Sequence, residues 1–186
     1  MNKSHASLSA VCRIAATAFL LGALTGCAGT DQPPTASQPS FYRNLTEPGA
    51  TLDAEAAEAM ISNYRQNNGL GTLALDPALM KLAKEQAHTM AAHNKMDHDV
   101  GGPFKTRIAR SGFDAKVAAE NISAGYHTMA EAFSGWRDSP HHRANMLLKG
   151  ATRMGIAAVY APGTKYRVFW ALILAAPDEK HGLALR

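Results

Sequence analysis

The chain has 186 residues, with 19 Lys plus Arg against 15 Asp plus Glu, a formal net charge of +4 and two cysteines. No Lys/Arg block outside the N-terminal leader is long enough to read as a nucleic-acid patch, and no hydrophobic run reaches spanning length. Two cysteines, Cys12 and Cys27, both near the N-terminus, exclude a disulfide framework for the domain that follows.

Residues 1–26 read as an export signal. Lys3 and Arg13 come first without an acid, followed by the apolar run "IAATAFLLGAL", too short for a membrane span. The run ends in "LTGC", which resembles the lipobox of bacterial lipoproteins and implies cleavage before Cys27 and acylation of its thiol. An ordinary signal peptide with a chance Cys is the competing reading. Residues 27–50 are rich in Pro, Ser, Thr and Gln and read as a lipidated Cys plus flexible tether. In cells with two membranes, Ala28 after the modified Cys goes with the outer membrane. The expected localisation is therefore exported and lipid-anchored in the cell envelope, with the membrane as a partner through Cys27.

A domain is expected over 51–178, with a tail at 179–186. "LDAEAAEAMISNYRQNNG" predicts a helix with Asp53 as cap and Asn68-Gly69 at its end. "LDPALMKLAKEQAHTMAAHN" predicts a second, with Asp76 at the N-cap and Pro77 at the first helical position. Leu79, Leu82, Ala83, Gln86 and Met90 form its buried stripe, while Lys81, Lys84, Glu85 and His88 fall opposite. His93 lies nearer the buried side and reads as a satisfied core histidine. "MDHDVGGPFKTRIARSGF" predicts a Gly-Gly turn and a short helix ending at Gly112. Thr128 to Glu131 spell a capping box, opening a helix with Met129, Phe133 and Trp136 on one stripe. Ser139-Pro140 ends that helix, and Ser139 reads as a cap whose oxygen is already used.

"RMGIAAVYA" and "YRVFWALILAA", separated by "PGTK", predict an antiparallel hairpin. Val168, Trp170 and Leu172 alternate with Phe169, Ala171 and Ile173, so neither face is polar. A sheet buried on both faces needs a layer on each side. The predicted fold class is α+β, a three-layer α-β-α sandwich with a largely antiparallel sheet.

Within this frame the stretch "AENISAG" is anomalous, because a buried carboxylate costs several kcal/mol unless it is paired. Glu120, His98 and His142 sit at the ends of elements that a sandwich would gather. Two imidazoles and a carboxylate can hold a divalent metal such as zinc, or act as a general acid/base set. Glu120 is alternatively structural, paired with a His or with Arg143. Asn121 reads as a hydrogen-bonder to loop backbone.

The combination A-E-N-I-x-x-G followed by W-x-x-S-P-x-H-R-x-N, with "MDHDVGGPFKTRIARSGF", "RMGIAAV" and "YRVFWAL", resembles the CAP superfamily (SCP or PR-1-like domain) in its short bacterial form. The resemblance covers about 54–175 and implies the same sandwich. It also implies a central cleft with two His and two Glu, carried over here as His98, Glu120 and His142. The second Glu position is occupied by Ser139; Asp138 is adjacent, but one residue along a helix turns a side chain away by about 100°. Three functions follow as expectations. One is binding of a lipid or other small amphipathic ligand in an apolar groove. Another is a metal-dependent hydrolase with His98 and His142 as ligands and Glu120 as base or third ligand. The last is a structural or interaction module of the envelope.

Overall fold

A computed structural model describes residues 38–178. The signal segment, Cys27 and the tail 179–186 lie outside the described residues. Helix α1, Ala54–Gln66, begins where Asp53 accepts a hydrogen bond from the Ala56 backbone N–H, and the chain reverses at Gly69, whose φ of +73° suits glycine. Two-residue β1, Ala74–Leu75, leads into α2, Pro77–Ala92, capped by Asp76. Leu79, Leu82, Ala83, Gln86, Ala87 and Met90 are buried and Lys81, Lys84, Glu85 and His88 are exposed, as the stripe requires. His93 departs from expectation. The helix ends at Ala92, so helical spacing no longer fixes His93, which is an exposed C-cap with its ring Nδ1 2.9 Å from the Thr89 carbonyl.

Helix α3, Phe104–Arg110, is followed by strand β2, Ala115–Ala124. Helix α4, Met129–Asp138, carries the expected capping box, with both Thr128 and Glu131 bonds formed. Helix α5, Pro140–Met146, follows directly. Ser139 stands between the two helices, but its side chain makes no cap hydrogen bond, which corrects the reading of its oxygen as used. Strands β3, Arg153–Tyr160, and β4, Val168–Pro177, form the antiparallel hairpin.

The sheet order is β1-β3-β4-β2, with β4 central and antiparallel to both neighbours and only β1 parallel. Both faces of β4 are covered. Val168, Trp170, Leu172 and Leu174 pack with Ile61 of α1, Trp136 of α4 and Met146 of α5. Phe169, Ala171, Ile173 and Ala175 pack with Leu82, Met90 of α2 and Ile108 of α3. This is the three-layer α-β-α arrangement, and it explains why β4 has no polar face. Helix α2 crosses β3 at Gly155, where a Cβ would overlap the backbone of Leu79 and Met80. The glycine therefore sets how closely that helix layer seats on the sheet.

The packed region begins before Thr51. A 3-10 turn occupies Ser40–Tyr42, Leu45 is buried with its N–H bonded to the His127 carbonyl, and Phe41 and Ala50 pack on the α1/α4 side. Three apolar residues spaced through a polar stretch suffice to hold this piece of the expected tether against the domain.

Candidate functional site

Glu120 sits near the middle of β2, opposite Ile173 of β4, and is 5% exposed. Its carboxylate is fully engaged. The Oε1 atom lies 2.8 Å from His98 Nδ1, and Arg107 Nη2 donates to Oε1 and Oε2 at 2.9 Å each. Arg107 comes from α3 and is itself 5% exposed, so the pair is an ion pair taken out of water. Such a pair holds because each charge has further partners. Arg107 supplies them, donating from Nε to the Gly102 carbonyl at 2.9 Å and from Nη2 to the His98 carbonyl at 3.0 Å. From α2, Gln86 Nε2 donates to the Asp97 and His98 carbonyls at 3.0 and 3.2 Å. The loop carrying His98 is thus fastened from two helices.

His142 is placed from the other side. Asn121, beside Glu120 on β2, donates from Nδ2 to the His142 carbonyl at 2.9 Å. Asn145, one turn along α5, donates to the Glu120 carbonyl at 3.0 Å and to Asn121 Oδ1 at 2.9 Å. These asparagines staple α5 to β2. The two imidazoles are close enough that His98 helps to depress the His142 pKa.

The environments push the two imidazoles apart. Hydrogen bonding to Glu120 holds His98 above the ordinary imidazole range, against a smaller opposing effect of burial. Burial pulls His142 below that range, aided by the charges of His98 and His141. The two shifts run in opposite directions, the sense found in a paired acid and base.

The sign of the pH effect on stability follows. A raised histidine contributes stability that is complete below the unfolded pKa, about 6.5, and lost as pH rises through the folded value. A lowered histidine costs stability as pH falls from about 6.5 through its folded value. Together they predict a maximum in the contribution of these groups near pH 6.5. Thermal melts of wild type and a His98→Asn/His142→Asn double variant, compared between pH 5 and 8, check it. A difference curve that is flat or monotonic would contradict the assignment.

The donor set for a metal is short. Both Glu120 oxygens are occupied, and the Arg107 cation beside them opposes a divalent ion. Among the described residues no group of three or more His, Cys, Asp or Glu side chains is placed to hold a metal. His98 and His142 remain as two imidazole donors, without the third ligand that Glu120 was expected to supply. Asp138 does not replace the missing acid: it is exposed and paired with Arg137 at 2.8 Å.

The structure thus brings together all three expected residues, His98, Glu120 and His142. Arg107, Gln86 and Asn145 were not anticipated as parts of the site. Arg107 had a signal, because it shares the apolar face of α3 with Phe104 and Ile108, where an arginine demands a buried partner.

Residues 59–174 match the family described as "CAP: Cysteine-rich secretory protein family". The chain belongs to this family. A curated relative, the uncharacterized protein YkwD of Bacillus subtilis, is 35% identical over 98 residues, which is 51% of this chain and 38% of that protein. The CAP chain described here therefore spans well under half the length of that relative. Among solved structures, an extracellular protein containing an SCP domain from Bacillus anthracis aligns with a TM-score of 0.58 at 24% identity, over 66% of this chain and 39% of that one. An outer surface protein of Borrelia burgdorferi aligns with a TM-score of 0.61 at 17% identity, over 69% of this chain and 98% of that one. At these identities the two structures show the shared fold. No helix among the described residues is long and apolar enough to cross a membrane.

Proposed function

We propose that this chain is an envelope CAP protein, tethered through Cys27, that binds a single-chain anionic amphiphile such as a fatty acid. The observation that carries this reading is an apolar groove of about 570 Å³ between α2 and β3. Its size falls within the range of small-molecule sites, roughly 300–1,000 Å³. The groove exists because β1 pairs with β3 only at Arg153 and Met154, so among the described residues no strand pairs with the outer edge of β3, away from β4, from Ile156 to Tyr160. Met80, Ile156, Ala158 and Tyr160 give it apolar walls. Lys81, Lys84 and His88 line it from the solvent face of α2. Apolar walls with basic groups on one side match a hydrocarbon chain ending in a carboxylate.

The test is fluorescence displacement on the purified chain with palmitate and its uncharged methyl ester. Palmitate is expected to bind in the micromolar range and the ester about tenfold more weakly, the scale of one charge-assisted contact. Ala158→Phe fills the groove and should abolish binding, and Lys84→Glu should weaken palmitate only. Palmitate binding that survives both substitutions would remove this reading.

A second reading, acid–base hydrolysis of an envelope substrate, is favoured by one observation: the opposed pKa shifts of His98 and His142, which interact electrostatically. In it His142 accepts a proton from water, His98 donates one to the leaving group, and Glu120 positions His98.

A further inference from the structure

Resting on the amphiphile reading of the α2/β3 groove, we propose that its ligand is an N-acyl amino acid anion whose amide adds to the outer edge of β3. The lining residues come from both sides of the sheet: Val159 packs with the α2 layer and Ala158 with the α1 layer. The groove therefore runs along the edge of β3, where a further strand would lie, and a ligand in it meets backbone as well as side chains. An open strand edge presents peptide N–H and C=O groups in a fixed order, which a hydrocarbon chain cannot pair.

The order of those groups follows from the bonds already made. Asp76, just past β1, donates to the Met154 carbonyl at 2.9 Å. The Ile156 N–H points the same way and meets the Met80 thioether at 3.3 Å, a weak acceptor, because the chain has turned into α2. On the inner side, Ala161 donates to the Arg167 carbonyl at 2.7 Å. From Met154 onward, odd-numbered residues therefore bond to β4 and even-numbered ones face outward. Ala158 and Tyr160 are next in the outward series. Neither is buried, and among the described residues nothing hydrogen-bonds their outward backbone groups. A ligand that continues the β1 ladder donates to the Ala158 carbonyl and accepts from the Tyr160 N–H.

These two groups select the head of the ligand. An ionised fatty acid accepts from the Tyr160 N–H but has no hydrogen for the Ala158 carbonyl, and an ester has none either. A carboxylate one carbon beyond an amide N–H serves both in turn, as one residue of a strand does. Charge agrees with the direction. Met80 stands beside Ile156, and Asn94, past the end of α2, accepts the Lys165 N–H at 2.9 Å, beyond Tyr160. Helix α2 thus runs along β3 in the same sense. The rise from Met80 to His88, about 12 Å, matches the length from Ile156 to Tyr160, about 13 Å. Lys84 and His88 therefore fall toward the Tyr160 end, where the carboxylate lies, and no acid is among the described lining residues. The acyl chain runs back toward Ile156 and Met80.

The test is fluorescence displacement on the purified chain with palmitate, N-palmitoylglycine and N-palmitoylsarcosine, whose amide carries a methyl group in place of hydrogen. N-Palmitoylglycine is expected to bind about fivefold more tightly than palmitate, the scale of one added hydrogen bond, and the sarcosine to lose that gain. The carbon-13 signal of the Ala158 carbonyl reads the contact directly: it should shift with N-palmitoylglycine and not with the sarcosine. Palmitate binding with N-palmitoylglycine equal or weaker, or a sarcosine as tight as the glycine, overturns the amide proposal and leaves the fatty-acid reading standing. N-Palmitoylglycine binding that survives Ala158→Phe overturns it as well, because the ligand then sits elsewhere. No binding of any of the three overturns both.

Discussion

Arg65→Met is expected to lower the stability of the domain by about 3–5 kcal/mol, and its melting temperature by about 10 °C. Arg65 is 1% exposed, and no ion pair joins it to a carboxylate among the described residues. Its charge is held by backbone alone. The Nε atom donates to the Gly71 carbonyl at 3.0 Å, Nη1 to Met146 and Leu148 at 2.9 and 3.0 Å, and Nη2 to Ala151 at 3.0 Å. These carbonyls belong to the turn after α1, the end of α5 and the approach to β3. One side chain therefore satisfies the chain where three elements converge. Methionine keeps much of the volume but takes the donor from the Gly71, Met146 and Ala151 carbonyls, leaving Leu148 only the Ala151 N–H at 3.4 Å, and each unsatisfied buried group costs about 1–3 kcal/mol before relaxation. Urea denaturation of both proteins measures the difference. A loss below about 1 kcal/mol would mean that water replaces the guanidinium and that the carbonyl cluster is not a structural anchor.

Glu120→Gln is expected to cost about 3 kcal/mol and to change a titration as well. Gln keeps the shape of the side chain but removes the charge that balances Arg107. A buried arginine then loses the only carboxylate within ion-pair distance of it among the described residues. The same change removes the main cause of the raised His98 pKa, the hydrogen bond to Glu120. In the variant His98 should titrate lower, near or below the ordinary imidazole value, because burial and Arg107 still act on it. The NMR titration of the His98 ring checks this separately from stability. An unstable variant in which His98 titrates as before would show that Glu120 is a tie between layers with no hold on the imidazole.

Much of the fold could be read from local chemistry. Asp53, Asp76 and the Thr128–Glu131 box each mark a helix start because orphan backbone N–H groups need an acceptor there, and all three work as expected. The hairpin and its two covered faces were legible because β4 alternates without a polar side. What failed to show depends on distant partners. Residues 40–50 look like linker by composition, and only the packing of Phe41, Leu45 and Ala50 against the domain reveals them as held to it. His93 falls on the buried side of an extended helical wheel, but the helix stops one residue too soon. At the site, His98, Glu120 and His142 followed from motif and placement. Arg107 could not be paired with Glu120 from sequence, because the two lie on different elements whose approach is set by the α2/α3 layer. The metal expectation for Glu120 weakened for the same reason: an arginine that no motif names already occupies both oxygens.

The most direct measurement of the proposed function is hydrogen–deuterium exchange of the purified chain with and without saturating palmitate. Protection should appear in Ile156–Tyr160 of β3, whose outer edge no strand among the described residues covers, and in the Met80–His88 stretch of α2, with little change around His98 and His142. Protection confined to the segments around His98, Glu120 and His142, or none at all with palmitate bound, would contradict an amphiphile in the α2/β3 groove.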